Sequence, residues 1–255
     1  MKRRRFLQVA GLGLAGAGSA AIARSIAQAR TEADPVSLKG KRWAMVIDER
    51  KCHTQPGCQA CIQACHRTHN VPAMKEPRHE VKWLWKEPLG NVFPERMTPY
   101  VPAAVRERPT LVLCNHCDNP PCVRVCPTEA TWRRADGIVM MDEHRCIGCR
   151  YCITGCPYGS RSFNFVDPRP HIPGEPTDYP TRTKGVVEKC TFCSERLAEG
   201  KRPACVEACE AIGCGALVFG DASDPGSPVS ALLRANDLAR RRPALGTSPH
   251  VFYAL

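Results

Sequence analysis

The longest apolar run of the chain lies near its start. A basic segment precedes the Gly- and Ala-rich stretch from Val9 to Ala23, and Ala27-Gln28-Ala29 follows it. This order of basic region, apolar region and A-x-A site is typical of a signal peptide, which we expect to span residues 1–29. A membrane-spanning helix is the weaker interpretation, because a span needs about 20 strongly apolar residues. No later segment is long and apolar enough to cross a membrane.

The pattern of apolar and polar positions also predicts a β-hairpin in the middle of the chain. Ala130 to Arg134 and Ile138 to Met141 form two short segments on either side of Asp136-Gly137. Asp-Gly between such segments is a strong hairpin signal. The chain contains 23 Pro and 19 Gly, and only 6% of it is aromatic, so we expect short elements, long loops and a modest core.

The cysteine content changes this picture. Seventeen cysteines in 255 residues are far more than ordinary proteins contain, and they indicate a fold held together by metal or by cross-links. The net charge is +11, but the first 29 residues supply a large part of it and contain no acid. No Lys/Arg run alternates with aromatic residues, which argues against a nucleic-acid partner.

The basic start has a more specific interpretation. The stretch Arg3-Arg4-Arg5-Phe6-Leu7-Gln8 resembles the twin-arginine export signal R-R-x-F-L-K, with Gln in place of the last Lys. Such signals characteristically export proteins that have already folded around a cofactor. The resemblance implies a periplasmic protein that associates with the membrane through partner subunits. An ordinary basic signal start is the alternative, and cleavage or retention of the signal as an anchor stays open.

Sixteen of the cysteines form four groups of four, and only Cys214 is left over. The third group has the bacterial ferredoxin spacing C-x2-C-x2-C-x3-C and is followed by Pro157. In that motif the C-x2-C loops wrap one [4Fe-4S] cluster and direct backbone N–H groups at its sulfurs, while the x3 step begins a helix that carries the last cysteine to a neighbouring cluster. The groups are Cys52, Cys58, Cys61, Cys65; Cys114, Cys117, Cys122, Cys126; Cys146, Cys149, Cys152, Cys156; and Cys190, Cys193, Cys205, Cys209.

Three other uses of cysteine fit the spacing less well. Disulfides do not require a repeated C-x2-C. Zinc sites use two such pairs per metal without the x3-Cys-Pro ending, and a redox C-x-x-C motif needs only one pair. We therefore expect iron–sulfur clusters, and a zinc- or disulfide-stapled binding protein is the distant alternative.

The ferredoxin rule, in which three cysteines of one group join a distant fourth, predicts four ligand sets and four [4Fe-4S] clusters. The sets are Cys126, Cys146, Cys149, Cys152; Cys114, Cys117, Cys122, Cys156; Cys65, Cys190, Cys193, Cys205; and Cys52, Cys58, Cys61, Cys209. We call them the 149 set, the 117 set, the 193 set and the 58 set, respectively.

The sets also predict a domain organisation and a fold class. Residues 111–166 are expected to form an inner two-cluster module, and residues 30–110 and 167–220 an outer module built from the two ends of the chain. Residues 221–255 follow as a C-terminal extension. The predicted fold is α+β: two ferredoxin-like modules with long cysteine-bearing loops and a loop-rich insert.

Several stretches resemble a known family. CNHCDNPPCVRVCPTEAT, EKCTFCSERLAEGKRPACVEAC and GALVFGD are similar to the four-cluster ferredoxin-like subunits of DMSO-reductase and nitrite-reductase type electron-transfer complexes. The resemblance covers nearly all of the mature chain. It implies an electron-transfer subunit without a substrate or catalytic site of its own, placed between a catalytic or cytochrome partner and a quinone-reactive membrane subunit.

A narrower resemblance concerns VIDERKC, ACHRTHNVP and HEVKWLWKEP, which are similar to the DsrO-type subunit of the Dsr transmembrane complex of dissimilatory sulfur metabolism. This implies a haem c protein and a polytopic quinone-interacting protein as partners. An electron-transfer subunit of an exported molybdopterin or multihaem reductase is the alternative, with a catalytic reductase subunit as partner.

The chain departs from the broad family pattern in the 58 set. The loop HTQPG separates Cys52 from Cys58, and Glu210 follows Cys209 where Pro is expected. Cys214 is an alternative to Cys209, but Cys209 keeps the C-x3-C step, so we interpret Cys214 as a buried thiol.

The remaining candidates have simpler interpretations. His53, His66 and His116 lie beside predicted ligands, and we expect them to be surface or supporting residues because each set already has four thiols. The run Arg240 to Arg242 is interpreted as a solvated basic segment. Core packing is the first expectation for the aromatic residues of the insert and a partner-docking face is the second: Trp83, Trp85, Phe93 and Tyr100.

Overall fold

The computed structural model describes residues 38–255, so the predicted signal peptide lies outside the described residues. Nine short strands are present in this part of the chain: β1 Trp43–Asp48, β2 Leu84–Pro88, β3 Pro109–Leu113, β4 Thr131–Arg133, β5 Val139–Met141, β6 Ser162–Phe163, β7 Val187–Glu188, β8 Leu217–Asp221 and β9 Val251–Ala254. Nine α-helices accompany them: α1 Glu49–His53, α2 Ala60–Thr68, α3 Leu89–Val92, α4 Ala103–Arg106, α5 Pro121–Arg124, α6 Tyr151–Thr154, α7 Ser194–Ala198, α8 Ala204–Ala211 and α9 Pro228–Ala235. Short 3-10 turns lie at Pro77–His79, Pro94–Arg96, Arg169–His171 and Pro243–Leu245.

The largest sheet has three strands in the order β8-β1-β9. β8 runs antiparallel to β1, with Met45 opposite Phe219, and β9 runs parallel to β1, with Val46 opposite Phe252. β1 precedes the first cysteine group, β8 follows the fourth group, and β9 lies at the end of the chain. The sheet therefore joins segments that are about 200 residues apart in sequence.

Both faces of β1 are covered. Met45 and Ile47 point into the main core, whereas Ala44 and Val46 pack against Val229 of α9 on the other face. Successive side chains of a strand point to opposite faces, so an uninterrupted apolar strand requires cover on both sides. The C-terminal helix α9 supplies the second cover.

Three two-stranded antiparallel sheets complete the strand content: β2 with β3, β4 with β5, and β6 with β7. The β4–β5 pair is the hairpin predicted from the sequence, with Thr131 opposite Met141 and Gly137 at a φ of 86° in the turn. That prediction is confirmed. The predicted α+β class, with small sheets and long cysteine-bearing loops, is also confirmed.

The cysteine-bearing helices pack in two pairs. α2, which carries Cys61 and Cys65, lies against α8, which carries Cys205 and Cys209. α5, which carries Cys122, lies against α6, which carries Cys152. The helices are short because prolines and tight loops bound them, so tertiary packing rather than helix length stabilises them.

Two expectations about the remaining residues need correction. Trp83, Trp85 and Phe93 are buried in the core as expected, but Tyr100 is 93% exposed because it lies in a turn beyond the insert core. The run at residues 240–242 is not uniformly solvated. Arg241 is buried, with its guanidinium over the ring of Tyr158 at 5.3 Å, and only Arg240 is exposed.

Within the described residues, no helix has both the length and the hydropathy that a bilayer crossing requires.

Candidate metal centres

Two of the predicted ligand sets lie on the pair of helices α2 and α8. The 58 set lines one small cavity together with Leu111, Leu217 and Lys86. The 193 set lines another together with Met45, Leu84, Leu113 and Phe192. Cys61 and Cys65 are four residues apart on α2 and serve different cavities, and Cys205 and Cys209 do the same on α8. The C-x3-C step thus places one cysteine of each helix at each of two neighbouring sites.

The other two sets lie in the segment from Cys114 to Cys156, which is predicted to form the inner module. The 117 set lines a third small cavity with Pro120, Tyr158 and Arg161. In the 149 set, Cys126, Cys146 and Cys152 pack together in a separate core cluster, and Cys149 lies on the exposed loop before α6. All seventeen cysteines are free, so each thiol of the four sets is available as a ligand.

Cys214 does not lie where the sequence interpretation placed it. It lines the same cavity as the 58 set and is only half-buried, with its thiol facing the carbonyl oxygen of Lys51 at 3.6 Å. The tight turn at Gly213, where φ is 73°, returns the chain towards the end of α8 and produces this position. Five thiols therefore surround one cavity.

Burial raises the pKa of most of the thiols that line the cavities. The pKa of Cys52 is raised to about 11, and those of Cys61, Cys117 and Cys190 to about 12, with desolvation as the largest cause in each case. A thiol buried in this way becomes a thiolate only when a positive charge compensates it. Iron supplies that charge, since metal binding deprotonates a coordinating thiol.

Backbone N–H groups approach several of the sulfurs, as the ferredoxin loop requires. Phe192 donates its N–H to the Cys190 sulfur at 3.4 Å. Partial burial alone would raise the pKa of Cys126, but the N–H groups of Thr131, Thr128 and Ala130 hold that pKa below its usual value. Donors of this kind stabilise negative charge on cluster sulfurs.

Cysteines of different sets are also close to one another. Desolvation is the main cause of the raised pKa of Cys152, Cys190 and Cys205, and in each case the charge of a cysteine from another set raises the pKa further. Cys122 acts on Cys152, Cys114 acts on Cys190, and Cys61 acts on Cys205. The packing agrees with this order: Cys122 and Cys152 share one core cluster, Cys114 packs against the core cluster that contains Cys190, and α2 and α8 each carry one cysteine of the 193 set and one of the 58 set. The sets therefore neighbour one another in the order 149, 117, 193, 58, as a single file.

The three histidines singled out in the sequence make contacts other than metal ligation. His53 Nε2 lies 3.1 Å from the carbonyl oxygen of Pro109, and His66 Nε2 lies 3.1 Å from that of Leu84. His116 is fully buried, stacks on Phe192 at 3.7 Å and accepts a hydrogen bond from the N–H of Val139.

Sequence reasoning missed three charged or polar side chains at these sites. The ring of His69 lies 3.8 Å from the Cys65 sulfur and 2.9 Å from a carboxylate oxygen of Glu195. His69, Glu195 and Cys193 also form a group of potential metal ligands, whose ligand atoms lie within 4.8 Å of one another. Arg161 and Lys189 are buried beside cysteines. A single arginine or lysine between cysteine groups carries no sequence signal that separates it from a surface charge.

The comparisons with known proteins agree with this architecture. A family model described as a 4Fe-4S dicluster domain matches residues 110–167 and 174–222. The chain is 43% identical over 277 aligned positions to the Hdr-like menaquinol oxidoreductase iron-sulfur subunit 1 of Archaeoglobus fulgidus, which covers all of this chain and 98% of that protein. The chain belongs to this family of ferredoxin-like iron–sulfur subunits.

Two further relatives match nearly the whole chain. A tetrathionate reductase subunit from Salmonella typhimurium is 38% identical over 98% of this chain and 87% of its own length. Protein NrfC of Escherichia coli is 38% identical over 98% of this chain and 93% of its own length. The predicted role as an electron-transfer subunit of an oxidoreductase complex, with [4Fe-4S] clusters as cofactors, is therefore confirmed.

Proposed function

We propose that the protein holds four [4Fe-4S] clusters with the sixteen cysteines of the four sets and conducts electrons along them. The observation that carries this proposal is the single file of four thiol sites, three of them lining buried cavities. Each [4Fe-4S] cluster supplies a one-electron redox centre. The chain itself supplies the thiol ligands, the N–H donors and a mainly apolar lining at three of the sites.

The order of the sites supports a path with two ends. The 149 set forms one end, where Cys149 is exposed and Ile147 and Tyr151 beside it are more than 60% exposed. The 58 set forms the other end. We propose that partner subunits exchange electrons at these two ends, and that residues 30–110 and 167–220 form the outer module and residues 111–166 the inner one.

We further propose that the protein is the extracytoplasmic iron–sulfur subunit of a quinone-linked membrane complex of dissimilatory sulfur metabolism, of the DsrO type. The relative that is 43% identical over the whole chain is an iron–sulfur subunit of an Hdr-like menaquinol oxidoreductase, which supports a quinone link. The twin-arginine-like start supports export to the periplasm. A polytopic quinone-interacting subunit and a haem c subunit are the partners proposed.

The second candidate is the electron-transfer subunit of an exported molybdopterin or multihaem reductase. The 38% identity to the tetrathionate reductase subunit favours it. Purification of the native complex from its membranes separates the two. A haem c protein with heterodisulfide-reductase-like subunits supports the first candidate, and a large molybdopterin subunit supports the second.

The cofactor proposal is tested by the iron and acid-labile sulfide content of anaerobically purified mature protein. We expect about 16 of each per chain. A content of about 12 of each would mean that one set, most simply the 58 set with its extended loop, does not assemble a cluster. Zinc in place of iron would overturn the proposal.

A further inference from the structure

Three buried cationic side chains in the described part of the chain have no carboxylate partner. Arg161, Lys189 and Arg241 are each at most 5% exposed, and none forms a salt bridge. Arg182 is similarly buried, but its charge is compensated in the usual way, by a salt bridge to Glu188 at 2.7 Å. A buried charge is costly unless another charge compensates it. The compensating charge for the unpaired cations has to come from groups other than Asp and Glu.

Arg161 has the most direct contacts with predicted ligands. Its Nη2 donates to the sulfur of Cys122 at 3.1 Å and to the hydroxyl of Thr131 at 2.7 Å, and its Nη1 lies 3.7 Å from the sulfur of Met141. Cys122 belongs to the 117 set and shares a core cluster with Cys152 of the 149 set, and Arg161 also lines a groove together with Cys149 of the 149 set. The side chain of Arg161 therefore lies between ligands of two neighbouring sites.

The electrostatics of this position are consistent with anionic ligands. Burial alone would lower the pKa of Arg161, but Cys122, Cys152 and Cys114 raise it above its usual value. The side chain stays protonated in every redox state, so its charge is constant. A fixed positive charge beside a cluster stabilises the reduced form, which carries one more electron, relative to the oxidised form.

We propose that Arg161 is a positioning residue that raises the reduction potentials of the 117-set and 149-set clusters together and weakens the repulsion between them when both are reduced. The inference rests on the proposed four-cluster function. Each reduction adds one electron to one cluster, and Arg161 neither gains nor loses a proton in that step. Because its charge lies between ligands of both sites, it shifts the two potentials in the same direction.

The test is an EPR-monitored redox titration of the anaerobically purified full-length protein and of Arg161→Gln. Glutamine removes the charge and keeps a polar side chain. We expect the reduction equilibrium constant of two of the four clusters to fall about tenfold, so that their midpoint potentials fall by ~59 mV for one electron. The midpoint potentials of the other two clusters should stay unchanged. The matched control is Arg124→Gln, an exposed arginine on the helix that carries Cys122, which should move none of the four midpoints.

Arg161→Lys separates charge from hydrogen bonding. Lysine keeps the positive charge but lacks the planar fork of donors that reaches Cys122 and Thr131. We expect one or both inner midpoints to fall by less than in Arg161→Gln. Should Arg161→Gln fail to retain iron, Arg161→Met removes the charge with a different side chain: a fully loaded Arg161→Met protein with four unshifted midpoints would overturn the inference, and a fall confined to the inner pair would support it.

The outcome is distinguishable from failure of the proposed function. Iron and sulfide are measured first on the unsubstituted protein. About 16 of each, together with inner midpoints that do not move in a loaded Arg161→Gln protein, would reject the role of Arg161 and leave the four clusters in place.

Discussion

At the scale of single residues, one buried ion pair connects three segments that are far apart in sequence. Glu188, which is fully buried, accepts hydrogen bonds from Trp83 Nε1 at 2.9 Å and from Asn164 Nδ2 at 2.5 Å and pairs with Arg182. Arg182 in turn donates to the carbonyl oxygens of His69 and Asn70 at the end of α2. The network fixes the loop after α2 against the strand that precedes Cys190.

Glu188→Gln removes the only carboxylate that forms a salt bridge with Arg182 among the described residues. Leaving one member of a buried pair alone is strongly destabilising, so we expect the free energy of unfolding to fall by about 3–5 kcal/mol. Anaerobic chemical denaturation, followed by the visible absorbance of the clusters, measures this. Glu199→Gln is the control, because Glu199 forms an exposed pair with Lys201 and should give no measurable change. Equal stability of the two variants would contradict the prediction.

At the scale of elements, the C-x2-C loop of the third cysteine group depends on one glycine. Gly148 has a φ of 70°, and a Cβ there would collide with the backbone carbonyl oxygen of Gly185. Gly159, in the same module, has a φ of 65° but open space around the position of its Cβ. The two sites therefore share the strain of a left-handed backbone and differ in the steric contact.

Gly148→Ala is expected to displace the loop that carries Cys146 and Cys149, whereas Gly159→Ala adds only backbone strain of about 1–2 kcal/mol. We predict that Gly148→Ala retains about 12 iron atoms per chain and Gly159→Ala about 16. Iron analysis and the EPR signals of the reduced proteins check this. The steric argument fails if both variants retain the same iron content.

Two thiols at the end of α8 are candidates for the fourth ligand of the 58 set. Cys209 lies on the helix and Cys214 on the turn after it, and both line the cavity. We expect Cys214→Ser to leave about 16 iron atoms and unchanged EPR signals, because the other four thiols suffice. Cys209→Ser should lose or alter one cluster. The reverse pattern would assign the ligand to Cys214.

At the scale of the whole molecule, local and long-range features differed in how well the sequence predicted them. The β4–β5 hairpin was predictable because Asp136-Gly137 determines it locally, and the cysteine spacing by itself indicated clusters. The pairing of β1 with β9 could not be predicted, because contacts between segments so far apart in sequence leave no local pattern. Arg161 was missed for a related reason, because its sulfur partner Cys122 is brought close only by folding. Lys189 was missed because one of the carbonyl oxygens that it contacts, that of Val139, is 50 residues away in sequence. Arg241 was misassigned because a run of arginines has the same letters whether it is buried or solvated.

The difference in exposure between the two ends of the file of sites leads to a further prediction. Cys149 is the only exposed cysteine of the four sets, whereas the 193 set is entirely buried. Oxidants from solution reach an exposed cluster first, and oxidative loss of iron begins where solvent has access. The protein is exposed to air for increasing times, and each sample is made anaerobic and reduced again before its EPR spectrum is taken. The 149-set signal should therefore be lost first and the 193-set signal last.

The variant Cys149→Ser identifies the first signal, because the feature that it lacks or shifts belongs to the 149 set. Cys193→Ser identifies the last signal in the same way. Simultaneous decay of all four signals would mean that the sites do not differ in access to solvent. Decay that begins at the 193 set would contradict the proposed assignment of ligands. The expected order would support the 149-set end as the place where a partner subunit covers the chain, since a cluster open to solvent in the isolated chain requires that cover in the complex.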